Sequence, residues 1–223
     1  FCICWWKVER IYDVMQRPIM DALKSNGMAE KLVYLNPTEP FNLYLKIAAL
    51  AGLFLTSPFV LYQVWMFISP GLYRKEKKYV VPFMVSTITL FAAGGYFGYK
   101  IVYPAALTFL INFGKQFQPM ITIGEYTSLF LSIILGMGLI FEMPILVFFL
   151  SLMGIISAGF MWKNFRYSIL VIFIIAAIVT PTTDILNMCI FAAPMIALYA
   201  VSIGVAWLVH PKQRKARREK QAQ

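Results

Sequence analysis

The stretch Tyr126-Thr-Ser-Leu-Phe-Leu-Ser-Ile-Ile-Leu-Gly136-Met-Gly-Leu-Ile-Phe-Glu142-Met-Pro-Ile-Leu-Val-Phe-Phe-Leu150-Ser-Leu-Met153 holds one charged side chain, Glu142, inside an apolar run. As a helix, a run of this length is long enough for the ~30 Å hydrocarbon core of a bilayer. Glu142 then lies at membrane depth, where insertion scales assign an acid a cost of about 2.5–3.5 kcal/mol. An acid kept against that cost is a functional candidate. What it faces is the first question.

The rest of the chain points to the same medium. Its 223 residues are 60% hydrophobic and 13% charged, with a mean hydropathy of +0.71; soluble domains carry about 25% charged residues. One globular core of this size cannot enclose that much apolar surface, so the expected fold is an all-α polytopic membrane protein. The net charge of +10 sits in blocks, at Arg74-Lys-Glu-Lys-Lys78, at Lys163 and Arg166, and in the tail from Lys212 to Lys220. Such flanks set membrane orientation and touch anionic headgroups, whereas nucleic acid would call for an interleaved aromatic surface that is not evident. Cys2, Cys4 and Cys189 form no CxxC pair, and His210 stands in a polar flank, so neither a disulfide framework nor a metal site is read. No GxxxxGK[ST], HExxH or GxSxG motif occurs. The chain is not read as an enzyme, and no cofactor is expected.

Hydropathy predicts five spans, at about 41–68, 80–103, 126–153, 165–180 and 184–208. The loops after the first and third spans and the tail carry four, two and six basic residues, which puts the 209–223 tail in the cytoplasm. Five spans ending inside begin outside. Residues 1–6 therefore read as the outer end of a truncated first helix, and both termini of the intact six-span protein as cytoplasmic. Residues 7–40 read as an outer cap, with Val8, Ile11, Tyr12, Met15, Ile19 and Leu23 at helical spacing between charges. Arg17-Pro18 is expected to bend or end the first part of that helix. Pro181-Thr-Thr-Asp184 joins the last two spans as a hairpin, and a helix over 167–180 is only about 21 Å long, short for the bilayer.

Each candidate residue has a plain alternative. Glu142 could offer a polar point to a partner or substrate helix or carry a proton, as in a small proton-coupled transporter. Otherwise it is an acid satisfied by Ser or Thr neighbours beside a kink at Pro144. Glu76, the lone acid among Arg74, Lys75, Lys77 and Lys78, could take a guanidinium in a bidentate pair, or simply balance its neighbours. Gly94, Gly95, Gly98, Gly136 and Gly138 predict close helix packing. Pro58, Pro70, Pro82, Pro104, Pro144, Pro181 and Pro194 predict kinked or terminated helices.

Five landmarks in order carry a family resemblance: Asn36-Pro-Thr-Glu-Pro-Phe41, Ser57-Pro-Phe-Val-Leu-Tyr-Gln-Val-Trp65, Phe67-Ile-Ser-Pro-Gly-Leu-Tyr-Arg-Lys-Glu76, Phe141-Glu-Met-Pro144 and Thr180-Pro-Thr-Thr-Asp184. Together they resemble the TatC family, the multi-span receptor of the twin-arginine protein translocase, from Lys7 to Leu208. The resemblance implies a six-helix concave scaffold in the bacterial inner membrane that binds twin-arginine signal peptides and exports folded proteins. It implies single-span partners TatA and TatB, self-association, and use of the proton-motive force. It assigns arginine binding to Glu76, with Phe67, Pro70 and Leu72 shaping the same surface, an intramembrane polar contact to Glu142, and partner docking to Asp184.

Overall fold

The computed structural model describes residues 1–25, 32–68, 80–114, 121–179 and 185–221. The helices in chain order are α1 (Cys2–Trp6), α2 (Val8–Ser25), α3 (Glu39–Ile68), α4 (Val80–Phe97), α5 (Tyr103–Phe113), α6 (Ile123–Phe141), α7 (Met143–Leu152), α8 (Ala158–Lys163), α9 (Phe165–Val179) and α10 (Ile185–Gln221). Helix α4 passes into α5 through a π-helical turn, Gly98–Val102. Among the described residues the only β pairing is a bridge between Val33 and Thr122, which ties the return from α2 to the start of α6.

Among the described residues three helical stretches are long and apolar enough to cross a bilayer: Glu39–Val64, Ile123–Leu152 and Met188–Leu208. Phe165–Ile178 is apolar but shorter. The expected span at 80–103 continues as helix to Phe113, because the wider π turn takes up the chain just before Pro104, which lacks an N–H. The last span also runs past 208, to Gln221; the Lys, Arg, Gln and Ala that follow are good helix formers.

Proline positions decide much of the local structure. Of the two expectations for Arg17-Pro18, a bend or an end, the end is not found, since α2 is one helix through Pro18. A proline inside a helix removes the bond to the carbonyl four residues earlier and crowds that carbonyl, at about 3 kcal/mol. Here the carbonyl is that of Val14, and the Tyr99 hydroxyl donates to it at 2.6 Å. Beside it, the Tyr126 hydroxyl donates to the Met15 carbonyl at 2.7 Å. At about 1 kcal/mol each, the two bonds offset most of the proline penalty. Burial of Met15, Ile19 and Leu23 against the bundle supplies the rest. Pro58 in α3 repeats the pattern. The carbonyl it frees belongs to Phe54, and the Ser57 hydroxyl donates to it at 2.8 Å.

Helices α4 and α6 meet nearly backbone to backbone. A methyl added at Gly94 would lie 2.6 Å from the Met137 carbonyl oxygen and 2.8 Å from Phe141 Cβ; one added at Gly98 would lie 3.2 Å from Met137 Cβ. Gly94 and Gly98 are four apart, so both glycines lie on one face of α4. On the far side α10 packs along α7 and α9. There the Tyr199 hydroxyl bonds the Met161 carbonyl and accepts from Ser168, linking α8, α9 and α10.

Gly94→Ala is expected to lower stability by about 1–3 kcal/mol through overpacking, read as a lower unfolding midpoint in detergent. Gly204→Ala, where nothing lies within 4 Å of the added methyl, should not lower it. Tyr126→Phe removes a buried hydrogen bond and is expected to cost about 1.5 kcal/mol, and Tyr99→Phe about 0.5–1 kcal/mol at its exposed bond. Hydrogen exchange across α2 would rank the two.

Candidate functional site: a buried carboxylate at a helix break

Glu142 occupies the single-residue break between α6 and α7. Two residues on, Pro144 lacks the N–H that would continue the α6 ladder onto the Ile140 carbonyl. The chain tightens instead. The Glu142 N–H donates to Leu139 O at 3.1 Å, and the Glu142 carbonyl accepts from Ile145 and Leu146 at 3.1 and 3.0 Å. Backbone geometry makes Glu142 the N-cap of α7, yet its side chain makes no capping bond. The carboxylate is therefore not spent on the nearest orphan donors.

The packing of α4 on α6 fixes where this acid sits. Phe141 lies against Gly94, and its ring lies tilted against that of Phe97, the centroids 5.3 Å apart. One turn further, Ile145 and Phe149 form an apolar cluster with Phe83, Met84, Leu90 and Phe148. Between these contacts Glu142 keeps 8% exposure. Its Oε1 is buried and has no hydrogen-bond partner among the described residues. The alternative of an acid satisfied by Ser or Thr neighbours is thus not seen at this oxygen. Leu152 is ten residues away, or about 15 Å of helix, which is half a hydrocarbon core.

An unpaired buried polar oxygen costs roughly 1–3 kcal/mol, more when charged. Such an oxygen can take a hydrogen bond that a visiting helix or side chain brings. Among the described residues no cluster of His, Cys, Asp and Glu could hold a metal ion. A second carboxylate, Glu39, opens α3, and its buried Oε2 also lacks a partner among the described residues. It lies near Gly124 in the first turn of α6, so two positive helix ends face it.

Pro70, Leu72, Glu76 and Asp184 lie outside the described residues. Phe67 falls in the last turn of α3, where only the backbone is described.

With the helices and the buried acid placed, the chain can be set beside known proteins. The family described as Sec-independent protein translocase protein (TatC) matches residues 1–194. TatC of Koribacter versatilis is 72% identical over 221 residues, 99% of this chain and 82% of that protein. TatC of Carboxydothermus hydrogenoformans is 40% identical over 213 residues, 95% of this chain and 85% of that one. A crystal structure of the twin arginine translocase receptor TatC superposes with a TM-score of 0.82 at 34% identity, covering 93% of this chain and 90% of its own. The expected family and the all-α membrane fold are therefore both found. The chain belongs to the TatC family of Sec-independent protein translocase proteins.

Proposed function

We propose that this chain is the core receptor and scaffold of a twin-arginine translocase, binding signal peptides with paired arginines for export of folded proteins. The observation that carries the reading is family membership across residues 1–194. The role is recognition and scaffolding with no bond made or broken.

The Lys and Arg asymmetry supports a cytoplasmic tail, an external α2 and residence in the bacterial cytoplasmic membrane. In that orientation Glu76 stands at the inner rim. An isolated acid there can pair bidentately with a guanidinium, which a lysine ammonium cannot match. Phe67, Pro70 and Leu72 would shape the surface around it. Glu142 would serve an incoming signal or partner helix, and its unpaired Oε1 supports that role. Its low exposure means a visitor reaches it by displacing the side chains that cover it. Asp184 would contribute to docking of the single-span partner TatB. TatA and further copies of this chain would complete the assembly.

Photo-crosslinkers at Leu72 or Glu76 are expected to capture an Arg-Arg signal peptide and to lose a Lys-Lys version. Glu76→Lys should weaken capture about tenfold or more, the size of one lost charge-assisted pair. Equal capture in all these cases would remove the receptor assignment. Glu142→Ala should impair export while the protein stays inserted. Glu142→Gln, which can still donate and accept but cannot titrate, separates two roles. Export kept by Gln supports a polar contact, and export lost as in Ala supports proton carriage.

A further inference from the structure

Beneath α2 an open cavity of about 300 Å³ lies between α2, α3, α4 and α6. Its lining is arranged in rows. On α3 the residues are Ile47, Leu50, Ala51 and Phe54; on α4 and the π turn they are Ala92, Gly95, Tyr96 and Tyr99. Both sets follow the i, i+3, i+4, i+7 pattern of one helix face. The hollow therefore runs parallel to both helices for seven residues, or about 10 Å. Val14 and Met15 of α2 close one end. The side is open: Tyr96 is 65% exposed and Val14 46%. Gly95 keeps the hollow deep, because the Phe54 ring occupies the place its Cβ would take.

Charge marks one end only. The Tyr99 hydroxyl bonds Val14 at the α2 end, and Lys100 Nζ lies 5.8 Å from the Tyr99 ring centroid. Arg17, three residues beyond Val14, acts electrostatically on the same hydroxyl, as does the acid Asp21. Arg17 and Lys100 are both exposed. Arg17 and Lys100 offer two cations at that end, against Asp21 and, one residue from Val14, Asp13. Lys100 is 20 residues from Val80, about 30 Å of helix, so when one end of α4 meets a membrane surface the other does too. The opposite end of the hollow, at Phe54 and Ala92, is apolar.

The geometry points to a binding site for one anionic phospholipid of the leaflet beside α2, with an acyl chain in the hollow and its phosphate between Arg17 and Lys100. The hollow's axis is the direction an acyl chain takes in a bilayer, and its length of about 10 Å would seat part of one chain. A soluble ligand would have to cross lipid to reach it. The inference rests on the chain lying in a membrane and is independent of signal-peptide recognition.

The test uses the full chain in vesicles of equal phosphatidylglycerol and phosphatidylcholine, extracted in mild detergent and weighed by native mass spectrometry. The expected result is one retained phosphatidylglycerol. Ala92→Phe and Ala51→Phe, which fill the hollow from two walls, should each lower retention about tenfold. Gly204→Phe on α10 should not. Arg17→Gln with Lys100→Gln should keep a lipid but bring the ratio of the two headgroups to about one. Helical circular dichroism equal to the parent is the folding criterion for each variant. Unchanged retention in both filled variants overturns the site, as does an equal loss in Gly204→Phe. A retained polypeptide mass in place of lipid overturns the assigned occupant.

Discussion

Hydrocarbon contains no donor for a stray backbone carbonyl, and several helices in this protein carry prolines that create one. Water cannot repair the defect inside a bilayer, so the protein must. Two repairs are visible. Ser57 turns its hydroxyl back onto the carbonyl that Pro58 releases within the same helix. In α2, which is not one of the bilayer-length apolar stretches, the carbonyl that Pro18 releases is met from another part of the chain, by Tyr99 of the π turn. The first repair is local and lets α3 continue. The second fixes α2 to the rest of the bundle, so a defect in one helix becomes a tertiary contact. Tyr126 doubles it one residue along.

Against that background Glu142 is an exception. Proline again disturbs a helix, at Pro144, and the backbone is again re-paired, with the Glu142 N–H taken by Leu139. The side chain is left out of the repair. Gly94 and Gly98 bring α4 so close to α6 that the acid is covered, yet none of the described residues supplies a donor to Oε1. A scaffold that satisfies freed backbone groups elsewhere and leaves one carboxyl oxygen unmatched concentrates its polar demand at that point. An incoming helix with a donor would relieve it, which is a reason for binding and not for folding.

Much of this was legible in the residues themselves. Composition settled the medium. The 3–4 spacing of Val8, Met15, Ile19 and Leu23 marked the face that α2 buries, and the glycines of α4 announced a close contact without naming α6 as the partner. The helix does not end at Pro18, one of the two outcomes left open there, for a definite reason. Local sequence shows that a carbonyl is lost, but the hydroxyl that recovers it stands 85 residues away. The π turn before Pro104 has no local signature either. The covering of Glu142 depends on which side of α6 faces α4, a property of the assembled bundle. Glu76 and Asp184 rest on the family motif and on chemistry, since they fall outside the described residues.

The clamp between α2 and the tyrosines also sets an order of events during synthesis. Met15 leaves the ribosome 111 residues before Tyr126, an interval of roughly 6–22 s at about 5–20 residues per second. Throughout that time the first amphipathic segment can pack on α3, and later bond through Tyr99, but lacks the buried Tyr126 bond. Its final seating waits for the fourth and sixth helices to enter the bilayer, so this early-made part of the chain is among the last to be locked in place.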